Sequence, residues 1–215
     1  MKSTKTRLRP AIVPDPDRET RDKILEAAHA VFVRQGTVKS RTVDIAAESG
    51  VNKALLHYYF GSKSALADAV FERAAGSLFP RIFRILADEN RSIALKVRDV
   101  VDEQIQFHSA HPYLAAYIAS ELHTDPDRVT RVFEKRGTAP LTVLRRQLRE
   151  GAERGTLKPI SAEQFIINMM SLLVFPFVMW PAMRLLLGFA ETDFPSVLEE
   201  RRRMLPEFIL AGLRP

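Results

Sequence analysis

Residues 42–63 read TVDIAAESGVNKALLHYYFGSK, and Lys53, His57, Tyr58 and Lys63 within them carry groups suited to a polyanion. A lysine supplies a point charge, and imidazole and phenol supply directional hydrogen bonds. The small or apolar Ala54 and Leu55 suit thymine methyl groups in a major groove. These groups act together only if a helix places them on one outward face. Leu56 and Phe60, four apart, define the inward face, which leaves Lys53, Ala54, Leu55, His57 and Tyr58 outside. Asn52 is suited to cap this helix and Gly61 to end it. A shorter helix precedes it, with Thr42 as its cap and Ile45 and Ala46 facing in. Ala46 lets two helices cross closely, Gly50 four residues on supplies a left-handed turn, and Val51 fills the corner. Ser62 then caps a third helix opening on Lys63, whose charge at a free helix N-terminus forms a phosphate clamp. The pattern predicts a helix-turn-helix unit whose partner is double-stranded DNA. A plain helical hairpin shares the spacing of small residues but not the basic and aromatic outer face.

Other chemistry is thinly represented. The five histidines are His29, His57, His108, His111 and His123. His108 and His111 are three apart, with Glu121, His123 and Asp125 further on, which are zinc-ligand types. Pro112 breaks the helix directly after His111, so the two imidazoles need not share a face, and no metal site is expected. No glycine-rich phosphate loop, nucleophile elbow or paired catalytic carboxylates occur, so neither an enzyme nor a cofactor is expected. The chain of 215 residues has no cysteine, which removes disulfides and thiol chemistry and fits a cytoplasmic setting.

The elements that hold these residues are helical throughout. Asp17 reads as the N-cap of a first helix, 18–35, carrying Ile24, Leu25, Ala28, Val31 and Phe32 and stopped by Gly36. Further helical periods lie near 63–88, 92–109, 112–122, 126–136, 139–154, 162–188 and 195–212, separated by proline, glycine and asparagine breaks. The fold class is all-α: an N-terminal three-helix helix-turn-helix domain (17–63) and a larger helical domain (64–215). Residues 1–16 mix Lys2, Lys5, Arg7 and Arg9 with three prolines and lack the apolar run of a secretory signal. They read as a flexible basic arm. The net charge of +6 is concentrated at this end, +5 over residues 1–63 and +1 over the rest.

Residues 20–70, TRDKILEAAHAVFVRQG…TVDIAAESGVNKALLHYYFGSKSALADAV, resemble the DNA-binding domain of the TetR family of repressors. The shared motif is IL-x-AA, F-x-x-x-G, T-x-x-IA, GV, YF and SK in the same order and spacing. The resemblance implies that Thr42, Lys53, Tyr58 and Lys63 meet phosphates and that Ala54, Leu55 and His57 meet bases. Arg41 stands where many members have threonine and adds a phosphate contact. It also implies a homodimer on a palindromic operator, and a repressor released by an unknown small-molecule effector.

Residues 165–189, FIINMMSLLVFPFVMWPAMRLLLGF, are the most apolar segment and approach the roughly 20 residues that span a bilayer. Pro176, Pro181 and Arg184 argue against spanning, and a dimer interface completed by the helix of 195–212 is the preferred reading over a buried monomer core. A membrane-associated sensor is the remote alternative, so no membrane partner is expected. For an effector pocket the candidates are Phe107, His108, Tyr113, Tyr117, Phe133, Met170 and Phe175. His108 and Tyr117 stand out because a buried polar tip calls for a partner that a ligand can supply. A DNA-binding regulator with a filled core and no effector remains the alternative.

Overall fold

The computed structural model describes residues 16–134 and 139–215, excluding the side chains of Val129, Val132, Phe133, Ala139 and Pro140. The arm proposed for 1–16 therefore lies outside the described residues except at Pro16. Ten α-helices follow: α1 (Pro16–Gln35), α2 (Thr42–Ser49), α3 (Lys53–Phe60), α4 (Lys63–Ala87), α5 (Ile93–Ala110), α6 (Leu114–Thr124), α7 (Pro126–Glu134), α8 (Ala139–Glu153), α9 (Ala162–Leu187) and α10 (Phe194–Ala211), with a 3₁₀ turn at Glu191–Asp193. The described residues contain no strand.

Local chemistry sets the boundaries of the first helices. Asn52 accepts the Leu55 N–H at 2.7 Å and Ser62 the Ala65 N–H at 3.1 Å, so both expected caps form. Gly50 closes α2 at φ 69°, a left-handed conformation that a side chain would strain. Two caps differ from expectation. Arg41, not Thr42, precedes α2, and no side chain caps it. Helix α1 starts at Pro16, where the ring removes an N–H that would have no intrahelical partner, so Asp17 sits inside the first turn. Its carboxylate accepts the Tyr59 hydroxyl at 2.9 Å instead.

One core runs the length of the chain. Helices α1–α3 close around Ile24, Ala28, Phe32, Ile45, Leu56 and Phe60, and α4 carries Leu66, Val70 and Phe71 from there into the larger bundle. Helix α1 packs on α2, α4 and α6, while α4 continues against α5, α7 and α8. Burial of each large apolar side chain contributes about 1.5–3 kcal/mol.

Two cations, the buried Lys96 and the half-buried Arg201, serve the helix framework. Lys96, 1% exposed, donates to the Leu86 carbonyl in the last turn of α4 at 2.6 Å and to Gln147 Oε1 at 2.7 Å. It satisfies a terminal carbonyl that α4 itself cannot. Helix α9 runs through Pro176 and Pro181 without a break. Proline at 176 leaves the Leu172 carbonyl without its helical donor, and the Arg201 guanidinium of α10 fills that place. Desolvation lowers the Arg201 pKa, as expected for a cation drawn into this packing.

Candidate nucleic-acid interface

Helix α3 is two-faced. Leu56 and Phe60 are 2% and 9% exposed, whereas Lys53, Ala54 and His57 are exposed and Tyr58 is 78% exposed. Leu55 is half-buried between the two faces. The Tyr58 ring meets Tyr59 edge to face at 5.2 Å, and Tyr59 is itself tied to Asp17. That hydrogen bond, with burial and the Asp17 charge, raises the Tyr59 hydroxyl pKa, so the anchor stays protonated. The Arg34 guanidinium holds Glu48 at 2.6 Å and fixes α2 against α1. Arg41 is exposed and lies 3.4 Å from Asp44, and Thr42 is half-buried at the uncapped start of α2. Thr42, Lys53, Ala54, Leu55, His57 and Tyr58 therefore belong to the two short helices expected to meet DNA, and Arg41 directly precedes the first of them.

Lys63, the expected phosphate clamp, is bound within the protein. Its ammonium turns back onto the loop between α1 and α2 and donates to the carbonyls of Thr37, Val38 and Ser40 at 2.9, 3.0 and 2.9 Å. An ammonium has three N–H donors, and this cage uses all of them. A concave cluster of carbonyl dipoles competes successfully for the charge that the sequence suggested would face outward.

Residues that sequence reasoning missed complete this region. The Thr37 hydroxyl donates to Glu121 Oε1 at 2.5 Å, 84 positions away, and Glu121 pairs with Arg128. Thr37, Glu121 and Arg128 are 7%, 1% and 4% exposed. Arg128 also contacts Asp68 at 2.6 Å and Asp125 at 3.1 Å. Burial opposes its charge, but the three carboxylates outweigh burial and raise its pKa. Nothing local in the sequence marks this cluster. Lys96 did carry a signal, because it falls in the apolar stripe of Ile93, Val97 and Val100.

The effector candidates disperse. Tyr113 is 69% exposed at the start of α6, and Phe175 is 50% exposed on the outer face of α9, so neither lines an interior pocket. Phe133 lies on α7 with its side chain outside the described residues. Phe107 and His108 are buried on α5: Phe107 stacks on His111 at 4.6 Å, and His108 meets Phe177 of α9 at 4.6 Å. Met170 receives Gln104 Nε2 at 3.7 Å. Tyr117 turns toward the other end of the bundle, against His29 at 5.6 Å and Phe71 at 6.4 Å. Gln104 Oε1 and His108 Nδ1 are buried without a hydrogen-bond partner. Desolvation, with a smaller push from His111, lowers the His108 pKa to about 4, so its ring is neutral at pH 7. Clefts lie elsewhere, one of about 200 Å³ between α1, α4 and α6 and another of about 360 Å³ between α9 and α10. His111 Nδ1 lies 3.0 Å from the Phe107 carbonyl, and no three metal-ligating side chains gather at one point among the described residues.

Comparison with known proteins agrees with this architecture. The family model for bacterial regulatory proteins of the tetR family matches residues 24–70. The nucleoid occlusion factor SlmA of Vibrio vulnificus is 30% identical over 153 residues, covering 68% of this chain and 78% of that protein. The ketosteroid transcriptional regulator KstR2 of Mycobacterium tuberculosis superposes with a TM-score of 0.67 at 18% identity, covering 91% of this chain and 95% of that one. The transcriptional regulator FadR of Bacillus subtilis, solved with stearoyl-CoA, gives 0.66 at 17% identity over 89% and 98% of the two chains. The chain belongs to the TetR family and is a DNA-binding transcriptional regulator.

Proposed function

We propose that the chain is a homodimeric repressor that reads a palindromic operator and leaves it when a small molecule binds. The observation that carries the reading is the two-faced α3, anchored by Leu56 and Phe60 and open along Lys53, Ala54, His57 and Tyr58. Lys53, Tyr58, Arg41 and Thr42 take phosphates, and Ala54, Leu55 and His57 take base edges and methyl groups. Lys63 organises the loop beneath them. The head comprises 17–63 and the body 64–215, with the basic arm of 1–16 adding charge.

One reading helix makes too few base contacts for specificity, and two-fold pairing doubles them. Helices α9 and α10 offer the surface for pairing. Ile167, Phe175 and Met179 on α9 and Met204 and Phe208 on α10 are 36–58% exposed. Ser171, Ala182 and Ala211 lie among them and permit close approach. Helix α9 is long and apolar enough to cross a membrane. However, it buries Phe165, Met169, Leu173 and Phe177 in the bundle, and its remaining apolar face suits a second copy better than lipid. The setting is the cytoplasm.

Release by an effector is supported by Gln104 Oε1 and His108 Nδ1, four residues apart on α5 and both unpartnered inside the body. Leaving such groups unpaired costs about 1–3 kcal/mol each, which a hydrogen-bonding ligand recovers. The second reading, a regulator with no effector, is favoured by the close seating of His108 on Phe177. A thermal-shift screen of metabolites, followed by fluorescence anisotropy on a bound operator duplex, separates them. Compounds that stabilise the protein and release DNA support the effector reading. Stabilisers that leave DNA bound, or none at all, favour the second.

A further inference from the structure

We propose that Thr37 is a positioning residue through which the body sets the orientation of the reading head. Thr37 sits in the α1–α2 loop, five residues before α2 begins at Thr42, and it is bound from both sides. Its hydroxyl donates to Glu121 of α6 at 2.5 Å, and its carbonyl accepts the Lys63 ammonium at 2.9 Å and the Ser40 hydroxyl at 2.8 Å. Glu121 is held by Arg128, and Arg128 by Asp68 of α4 and by Asp125. A polar chain therefore runs from the first residue of α4, through the loop that feeds α2, into α6 and α7, and back to α4.

Apolar packing between α1 and α4 keeps the head attached but is non-directional. The Thr37–Glu121 hydrogen bond is directional, charge-assisted and shielded from water, so it selects one docking angle. A shift of α6 displaces Glu121 and frees the loop without unfolding either part. The inference rests on the DNA-binding role of the head and requires neither an effector nor a dimer.

The chain has no cysteine, so a spin-label pair is introduced cleanly as Ala47→Cys on α2 and Arg98→Cys on α5, both exposed. Double electron–electron resonance then reads the angle between head and body, with Thr37→Val and Thr37→Ser compared in that background. Thr37→Val is expected to broaden the distance distribution about twofold. In the unlabelled protein it should weaken operator binding about tenfold, the factor that about 1.4 kcal/mol of lost hydrogen bonding represents. Thr37→Ser is expected to restore both, because it returns the donor. An unchanged distribution in Thr37→Val overturns the proposal. So does a Thr37→Val chain that fails to fold, since the bond would then serve the fold and not the angle. A Thr37→Ser chain that behaves like Thr37→Val also overturns it.

Discussion

Replacing Lys63 by methionine keeps the length and apolar stem of the side chain and removes its charge. The ammonium makes three hydrogen bonds, at 2.9–3.0 Å, to the carbonyls of Thr37, Val38 and Ser40. Hydrogen bonds to a charged group contribute about 1.5–3 kcal/mol each, but these three share one ammonium and are not additive. The Val38 end of the loop is open to water, with that side chain 70% exposed, so its carbonyl can be rehydrated. A net loss of about 2–4 kcal/mol follows, which for a domain of this size lowers the melting temperature by about 5–15 °C. A phosphate ligand would behave differently. Its removal would leave melting nearly unchanged and reduce the slope of log affinity against log salt by about 0.9 per contact. Calorimetry and anisotropy titrations over a salt series measure both quantities on the same variant. Lys63→Met that melts normally but loses salt dependence would refute the carbonyl cage.

Lys53→Met is the converse case: the salt slope should fall by about 0.9 per protomer with melting held within about 1 °C, measured by the same titrations. If α9 and α10 pair two copies as proposed, Phe208→Asp on the exposed face of α10 should sediment as a folded monomer where the wild type sediments as a dimer, with its helical circular dichroism retained. Burial holds His108 near pKa 4, below the value of about 6.5 for an unfolded chain, so the unfolded state binds the extra proton. Stability is therefore full above pH 6.5 and declines as pH falls toward 4, by roughly 3 kcal/mol. Urea midpoints taken from pH 7 to 4 should show this decline, and His108→Leu should flatten it. Glu121→Ala leaves the buried Arg128 with only Asp68 and Asp125 and strips Thr37 of its acceptor. A loss of about 3–5 kcal/mol is expected in urea denaturation.

The reading unit was legible because its signals are local. Asn52, Ser62, Gly50 and Gly61 mark boundaries within a few residues of where they act, and Leu56 and Phe60 declare the inner face of α3 by their spacing. The helices of the body emerge from the same kind of signal, since proline and glycine breaks coincide with the ends of apolar periods. Long-range polar partners were not legible. Lys63 looks like a surface lysine until the loop at 37–40 folds over it. Thr37 and Glu121 meet only because α1 and α6 pack together. The aromatic residues of the body illustrate the same limit, because helical spacing places Tyr113 and Phe175 on a helix without saying which side faces a neighbour. Pro176 removes one hydrogen bond inside the helix expected at 162–188, and the sequence around it does not show what replaces that donor. Helix α9 accommodates it because Arg201, 25 positions further on, donates to the Leu172 carbonyl that the proline leaves without a partner.

Selection of random duplexes by the full-length protein, with the recovered sequences read directly, tests the central claim of a paired α3 reading head. Wild-type protein is expected to enrich one inverted repeat bound by two protomers. His57→Ala is expected to change bases within each half-site while the spacing between half-sites stays fixed. Recovery of no common sequence, or of a motif indifferent to changes at Lys53, His57 and Tyr58, would contradict it.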